Sequence, residues 1–136
     1  NIEGYRQLKG KLPLKMSEHV DGIDLDAWIR EGLLDAWIVG APKLGKYVRT
    51  LSDKAVAAKA RIWIEHSIDN GIAQVFQAHQ CAAYAGLDYS IAVTNVLADD
   101  CMKEPFAVKD GFYTIPEKPG LGVTLDEDAI DRYRLA

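Results

Sequence analysis

Short runs of strand character alternate with amphipathic stretches along most of this chain, and no other feature narrows its possible folds as far. Leu12–Met16 predicts a first strand that ends at Ser17, Glu18 and His19. Leu25, Trp28 and Ile29 then repeat at helical spacing until Gly32 supplies a stop. Leu34–Val39 predicts a second strand, broken by Gly40, Ala41 and Pro42, and Val48, Leu51, Ala55 and Ala58 then fall on one face of a second helix. Arg61–Glu65 predicts a third strand. A third apolar helical face follows through Ile72, Val75, Phe76, His79 and Ala83, ending before Gly86, and Ser90–Thr94 predicts a fourth strand. Strands that return roughly every 25 to 30 residues, with a helix between, are the pattern of right-handed βαβ crossovers and a parallel sheet. The fold class is α/β.

The remainder changes character. Val108–Pro116 reads as a turn plus a short extended segment, Lys118–Gly122 as a rigid loop, and Thr124 with Glu127 fits a capping box for a last helix through Ile130, Tyr133 and Arg134. No linker divides the chain, so residues 1–107 form the βα units and 108–136 an appendage. Residues 1–10 read as a loop and short helix that should follow a strand, so further strands are expected upstream. At 49% apolar and 26% charged, 136 residues suffice for a buried core and exclude disorder. No apolar run approaches the roughly 18 residues of a membrane span, and no basic segment leads into a short apolar one, so a cytoplasmic protein is expected. A net charge of -4 without blocks of like charge offers no attraction to nucleic acid or anionic lipid. Cys81 and Cys101 form no C-x-x-C pair and read as reduced thiols, which leaves no structural zinc.

In parallel α/β folds, ligands gather at the carboxyl ends of the strands. Glu18 and His19 follow the first strand, Lys43 the second, Glu65 and His66 end the third, and Thr94 and Asn95 end the fourth. A carboxylate from one strand end and an imidazole from another supply a hard-metal ligand and a base with a reference pKa near 6.5. Each residue also has a plainer reading: Glu18 as a solvated loop carboxylate, Lys43 as a solvated lysine rather than a counter-ion for an anionic substrate. His79 lies on an apolar helical face and reads as a hydrogen-bonded core histidine. No GxGxxG or GxxxxGK[ST] arrangement is present, which disfavours a nucleotide fold.

The stretch Asp110–Val123, followed by Leu125 and Asp126, resembles the ending of the mandelate racemase and muconate lactonizing branch of the enolase superfamily. Leu12–Glu18 resembles the fifth barrel strand of that branch. His66 and Ser67, with the helix from Gly71 to Ala83, resemble its seventh strand and helix. The resemblance implies strands five to eight of a modified TIM barrel of (β/α)7β type, with residues 108–136 packing on a capping domain. It implies that Glu18 is the third carboxylate ligand of an essential Mg2+, that His66 is a catalytic acid or base, and that His19, beside the metal ligand, contacts the substrate. The first four strands, the capping domain and the other metal carboxylates would then belong to a partner polypeptide, within an oligomeric whole enzyme. Two positions depart from the family pattern. Val39 or Gly40 stands where an Asp partners the strand-seven His, and only Thr94 and Asn95 lie near the strand-eight Glu position. The function implied is abstraction of the proton α to a carboxylate followed by dehydration of a hydroxy or sugar acid through an enolate. The alternatives are an epimerase or racemase, a cycloisomerase, or a non-catalytic structural half.

Overall fold

The computed structural model describes residues 1–40, 46–65, 68–90 and 97–135. In chain order the elements are α1 (Ile2–Leu8), β1 (Ser17–His19), α2 (Leu25–Glu31), β2 (Ala36–Gly40), α3 (Lys46–Ala58), β3 (Arg61–Glu65), α4 (Gly71–Ala83), β4 (Leu87–Ser90) and α5 (Glu127–Tyr133). The four strands lie side by side in the order β1-β2-β3-β4, every pair parallel. Each junction is made by a helix, as parallel pairing requires of its crossovers.

Burial alternates along the central strands. Trp37 and Val39 of β2 and Ile62 and Ile64 of β3 are buried, and with Val20 and Leu87 they meet Val48, Leu51 and Ala55 of α3 in one core. The residues between them, Ile38 and Gly40 on β2 and Trp63 and Glu65 on β3, lie in the opposite rows and are only half-buried. One face of the sheet therefore packs on the helices and the other is free to line a barrel interior. The helix ends follow local chemistry. Asp24, Asn70 and Asp126 cap α2, α4 and α5 through their side chains, and Gly32 closes α2 at φ 59°.

Several sequence expectations are corrected. Leu12–Met16 is not a strand; the strand is the polar Ser17–His19, because the backbone of Asp35 and Ala36 docks on the Met16 carbonyl and sets the register there. Leu12 and Leu14 are left exposed. The second strand begins at Ala36 rather than Leu34 and runs to Gly40, and β4 spans Leu87–Ser90, so it begins three residues before the expected fourth strand. Residues 91–94 of that expected strand lie outside the described residues. Ala58 is exposed, since α3 ends there and Lys59 turns away at φ 55°. The last helix is capped by Asp126, not Thr124, whose amide and hydroxyl are both taken by Glu104 at 2.8 Å.

The C-terminal segment folds back on the βα units. Asp110 and Gly111, at φ 52° and 82°, form a tight turn closed by the reciprocal Lys109–Phe112 bridge, a geometry that Asp-Gly suits. Met102 bridges Leu125, and the His79 ring, through Nε2, meets the Leu121 carbonyl at 3.2 Å, which gives this half-buried histidine the partner expected of it. Among the described residues no helix is long and apolar enough to cross a membrane. Cys81 and Cys101 are free thiols.

Candidate active site

Parallel pairing brings the carboxyl ends of β1, β2 and β3 to one edge of the sheet, and a chain of polar side chains runs across it. Ser17, Glu18 and His19 are level with Ala36, Trp37 and Ile38, and Gly40 is level with Glu65. Glu18 therefore shares the row of Trp37, toward the helices, where the Tyr5 hydroxyl of α1 donates to Oε2 at 2.7 Å. The Tyr5 ring is fixed in turn by Trp28 of α2, the centroids 4.8 Å apart. The other Glu18 oxygen, Oε1, accepts from the His19 amide at 2.8 Å.

His19 points into the opposite row. Its Nε2 lies 2.5 Å from Glu65 Oε2, on the far side of β2, and its Nδ1 lies 3.7 Å from Glu18 Oε1. The imidazole is thus held between two carboxylates from two different strands. The Glu65 hydrogen bond raises the His19 pKa above its ordinary value, against a smaller desolvation effect. The Tyr5 hydrogen bond, reinforced by the His19 amide, lowers that of Glu18, so Glu18 is ionised at neutral pH. Burial, then the Glu18 carboxylate, pushes the Tyr5 phenol up to about 12.

Glu18 meets the chemical requirement for a magnesium ligand in being an ionised, hard oxygen donor, a third exposed, with lone pairs left on each oxygen after its two hydrogen bonds. The described residues contain no group of three or more His, Cys, Asp or Glu able to hold a metal. His66 and Lys43, with Thr94 and Asn95, lie outside the described residues. The structure thus joins Glu18 to His19, gives Glu65, which the sequence placed at a strand end without a role, a partner in His19, and adds Tyr5, which sequence reasoning left out. Tyr5 carried no usable signal, because only the packing of α1 against Trp28 and the end of β1 brings it there.

A family model described as enolase C-terminal domain-like matches residues 1–129. Muconate cycloisomerase 1 of Rhodococcus opacus is 30% identical over 105 residues, which is 74% of this chain and 28% of that protein. Among solved structures, an enolase from Mycobacterium smegmatis complexed with formate and acetate has a TM-score of 0.84 at 19% identity, over 97% of this chain and 33% of its own. An isomerase from Streptomyces coelicolor A3(2) has a TM-score of 0.81 at 23% identity, over 97% of this chain and 37% of its own. An enolase from Pseudomonas fluorescens Pf0-1 with bound magnesium, potassium and tartrate has a TM-score of 0.82 at 20% identity, over 97% and 33%. Identities this low establish the fold alone. The chain spans about a third of the length of these proteins.

Proposed function

Since this chain belongs to the enolase C-terminal domain-like family, we propose that it forms part of a magnesium-dependent enzyme that removes the proton α to a carboxylate and dehydrates a hydroxy or sugar acid. The observation that carries this reading is the polar edge at the carboxyl ends of β1 and β3, where an ionised carboxylate, Glu18, stands beside an imidazole, His19, and Glu65 leads directly to His66.

The α-proton of a carboxylate is very weakly acidic, so the reaction needs charge stabilisation and a positioned base. Glu18 would hold Mg2+ with further carboxylates from outside this chain, and the ion, when bound, offsets the negative charge that gathers on the substrate carboxylate. His66 takes the α-proton and returns it to the departing β-hydroxyl, so that the elements of water leave and the resulting enol becomes a 2-keto acid. His19 contacts the substrate's hydroxyl through the ring nitrogen that Glu65 leaves free, and Lys43 supplies a cation for the anionic substrate. The rest of the barrel and the capping domain are supplied by polypeptide outside these residues, in an oligomeric whole enzyme.

Magnesium and tartrate, a hydroxy diacid, bound together in the Pseudomonas fluorescens enolase support the pairing of metal and substrate class. A second reading, cycloisomerisation, is favoured by the Rhodococcus opacus relative, and it shares the carboxylate substrate but releases no water. The test is to incubate the full-length magnesium-loaded protein in D2O with hydroxy acids, sugar acids and muconate. A keto acid carrying deuterium at the former β-carbon, where the enol takes up its proton from solvent, is expected, and its formation is abolished by His66→Asn while magnesium affinity is kept. Conversion of muconate alone points to the second reading, and no exchange or turnover with any of them rules out both.

A further inference from the structure

We propose that Glu65 is a positioning residue that holds the His19 imidazole in place for substrate binding, an inference that rests on the hydroxy-acid reading above. Strands β1 and β3 are not neighbours. β2 lies between them, so their backbones are roughly 9–10 Å apart at this level. Side chains bridge such a gap only where the middle strand leaves room. β2 does so at Gly40, level with Glu65 and two residues beyond Ile38, the partner of His19. The Nε2–Oε2 separation of 2.5 Å therefore spans a strand whose last residue carries no side chain to obstruct it.

The contact matters because the other restraint on the His19 ring is the longer 3.7 Å approach to Glu18: half of its side chain is exposed, and a solvated histidine at a strand end samples several rotamers. With Nε2 committed to Glu65, the ring has one orientation, and its Nδ1 edge is turned toward the Glu18 carboxylate. A substrate hydroxyl approaching Glu18 meets a ring nitrogen already aimed, Nδ1 accepting from it while the Nε2–H is held by Glu65. Gly40 also occupies the region where the sequence reading sought an Asp partner for the strand-seven histidine. The carboxylate–imidazole pair seen in the described residues uses a different histidine and a different strand.

The experiment uses the full-length magnesium-loaded protein and tartrate as the probe. Its readouts are the tartrate dissociation constant by calorimetry and the His19 ring nitrogen resonances by NMR, assigned with His19→Ala. Glu65→Ala should weaken tartrate binding about tenfold, the scale of one hydrogen bond to a charged group, and shift the His19 Nε2 resonance. Glu65→Gln, whose amide oxygen still accepts, should stay within about twofold of the parent, since the positioning bond survives. In the His19→Ala background Glu65→Ala should add nothing. Full additivity of the two losses, or Glu65→Ala leaving affinity and resonance unchanged, overturns the proposal. A parent protein that does not bind tartrate counts against the hydroxy-acid reading instead, and the ring resonance then decides the His19–Glu65 link by itself.

Discussion

The amide of Gly86 donates to Ser52 Oγ at 3.0 Å, and the Gly86 carbonyl accepts from Ile62, so one residue pins α3 to the junction of β3 and β4. A Cβ at position 86 would lie 2.6 Å from the Ser52 carbonyl oxygen and 2.9 Å from its Cα, both backbone atoms that cannot swing aside. Gly86→Ala should therefore destabilise the protein by about 1–3 kcal/mol through overpacking. Ser52→Ala, which leaves a buried amide without its acceptor, should cost about 1–3 kcal/mol. Denaturant unfolding of the full-length protein measures both, and an unchanged midpoint for Gly86→Ala refutes the close approach.

How much of this was legible in the sequence depended on whether a residue's surroundings were local. β3 matches its expected bounds because Ile62 and Ile64 alternate with half-exposed neighbours and both ends are marked by charge. Gly32 ends α2 as expected because a left-handed cap is a local requirement. β1 departs from the expected bounds because apolar content is a poor guide where register is set by a neighbour: Pro13 interrupts the apolar run, and Asp35, 19 residues on from Met16 and beyond α2, fixes the pairing. Gln74 and Gln77, buried on α4, also escaped a reading based on apolar periodicity. At the site, Glu18 and His19 are adjacent and could be read together, whereas the His19–Glu65 contact joins residues 46 apart and depends on the register of three strands.

Removing the charge of Glu18 should separate metal binding from folding. Glu18→Gln keeps one oxygen, for the Tyr5 hydroxyl, and gives up the acceptor of the exposed His19 amide, so stability should fall by about 1 kcal/mol, while magnesium affinity of the full-length protein should fall at least tenfold. Calorimetric titration with Mg2+ checks the second statement and thermal unfolding the first. Unaltered magnesium affinity removes Glu18 from the ligand set.

Cys81 gives a pH-dependent readout away from the site. It packs against the core, and burial pushes its thiol up to about 11. At pH 8 the thiolate fraction is then on the order of one in a thousand, so alkylation by iodoacetamide should be slow and should accelerate only as pH approaches 11. Because the folded thiol holds its proton longer than the unfolded one, Cys81 contributes a stability that is intact below about pH 8.5 and is lost as pH rises toward 11. Cys81→Ser should flatten that part of the stability profile. Rapid alkylation of Cys81 at pH 7 would contradict its burial.

The sheet has an open side at β1. β1 stands at one end of the strand order, and beside it Leu8, Leu12 and Leu14 are 43%, 44% and 74% exposed, an apolar edge next to unpaired strand backbone. In a closed barrel a preceding strand would cover that edge, and the half-buried row of Ile38 and Trp63 would face the barrel interior. Residues 1–136 alone should therefore self-associate in a concentration-dependent way, measured by sedimentation. Co-expression with the segment carrying the other strands should replace the self-associated species by a defined complex. Leu14→Lys should reduce self-association of the isolated chain, because a charge at an exposed edge opposes pairing. A monomer with a single cooperative unfolding transition would show that these four strands are a self-sufficient domain and that the edge has no need of a partner.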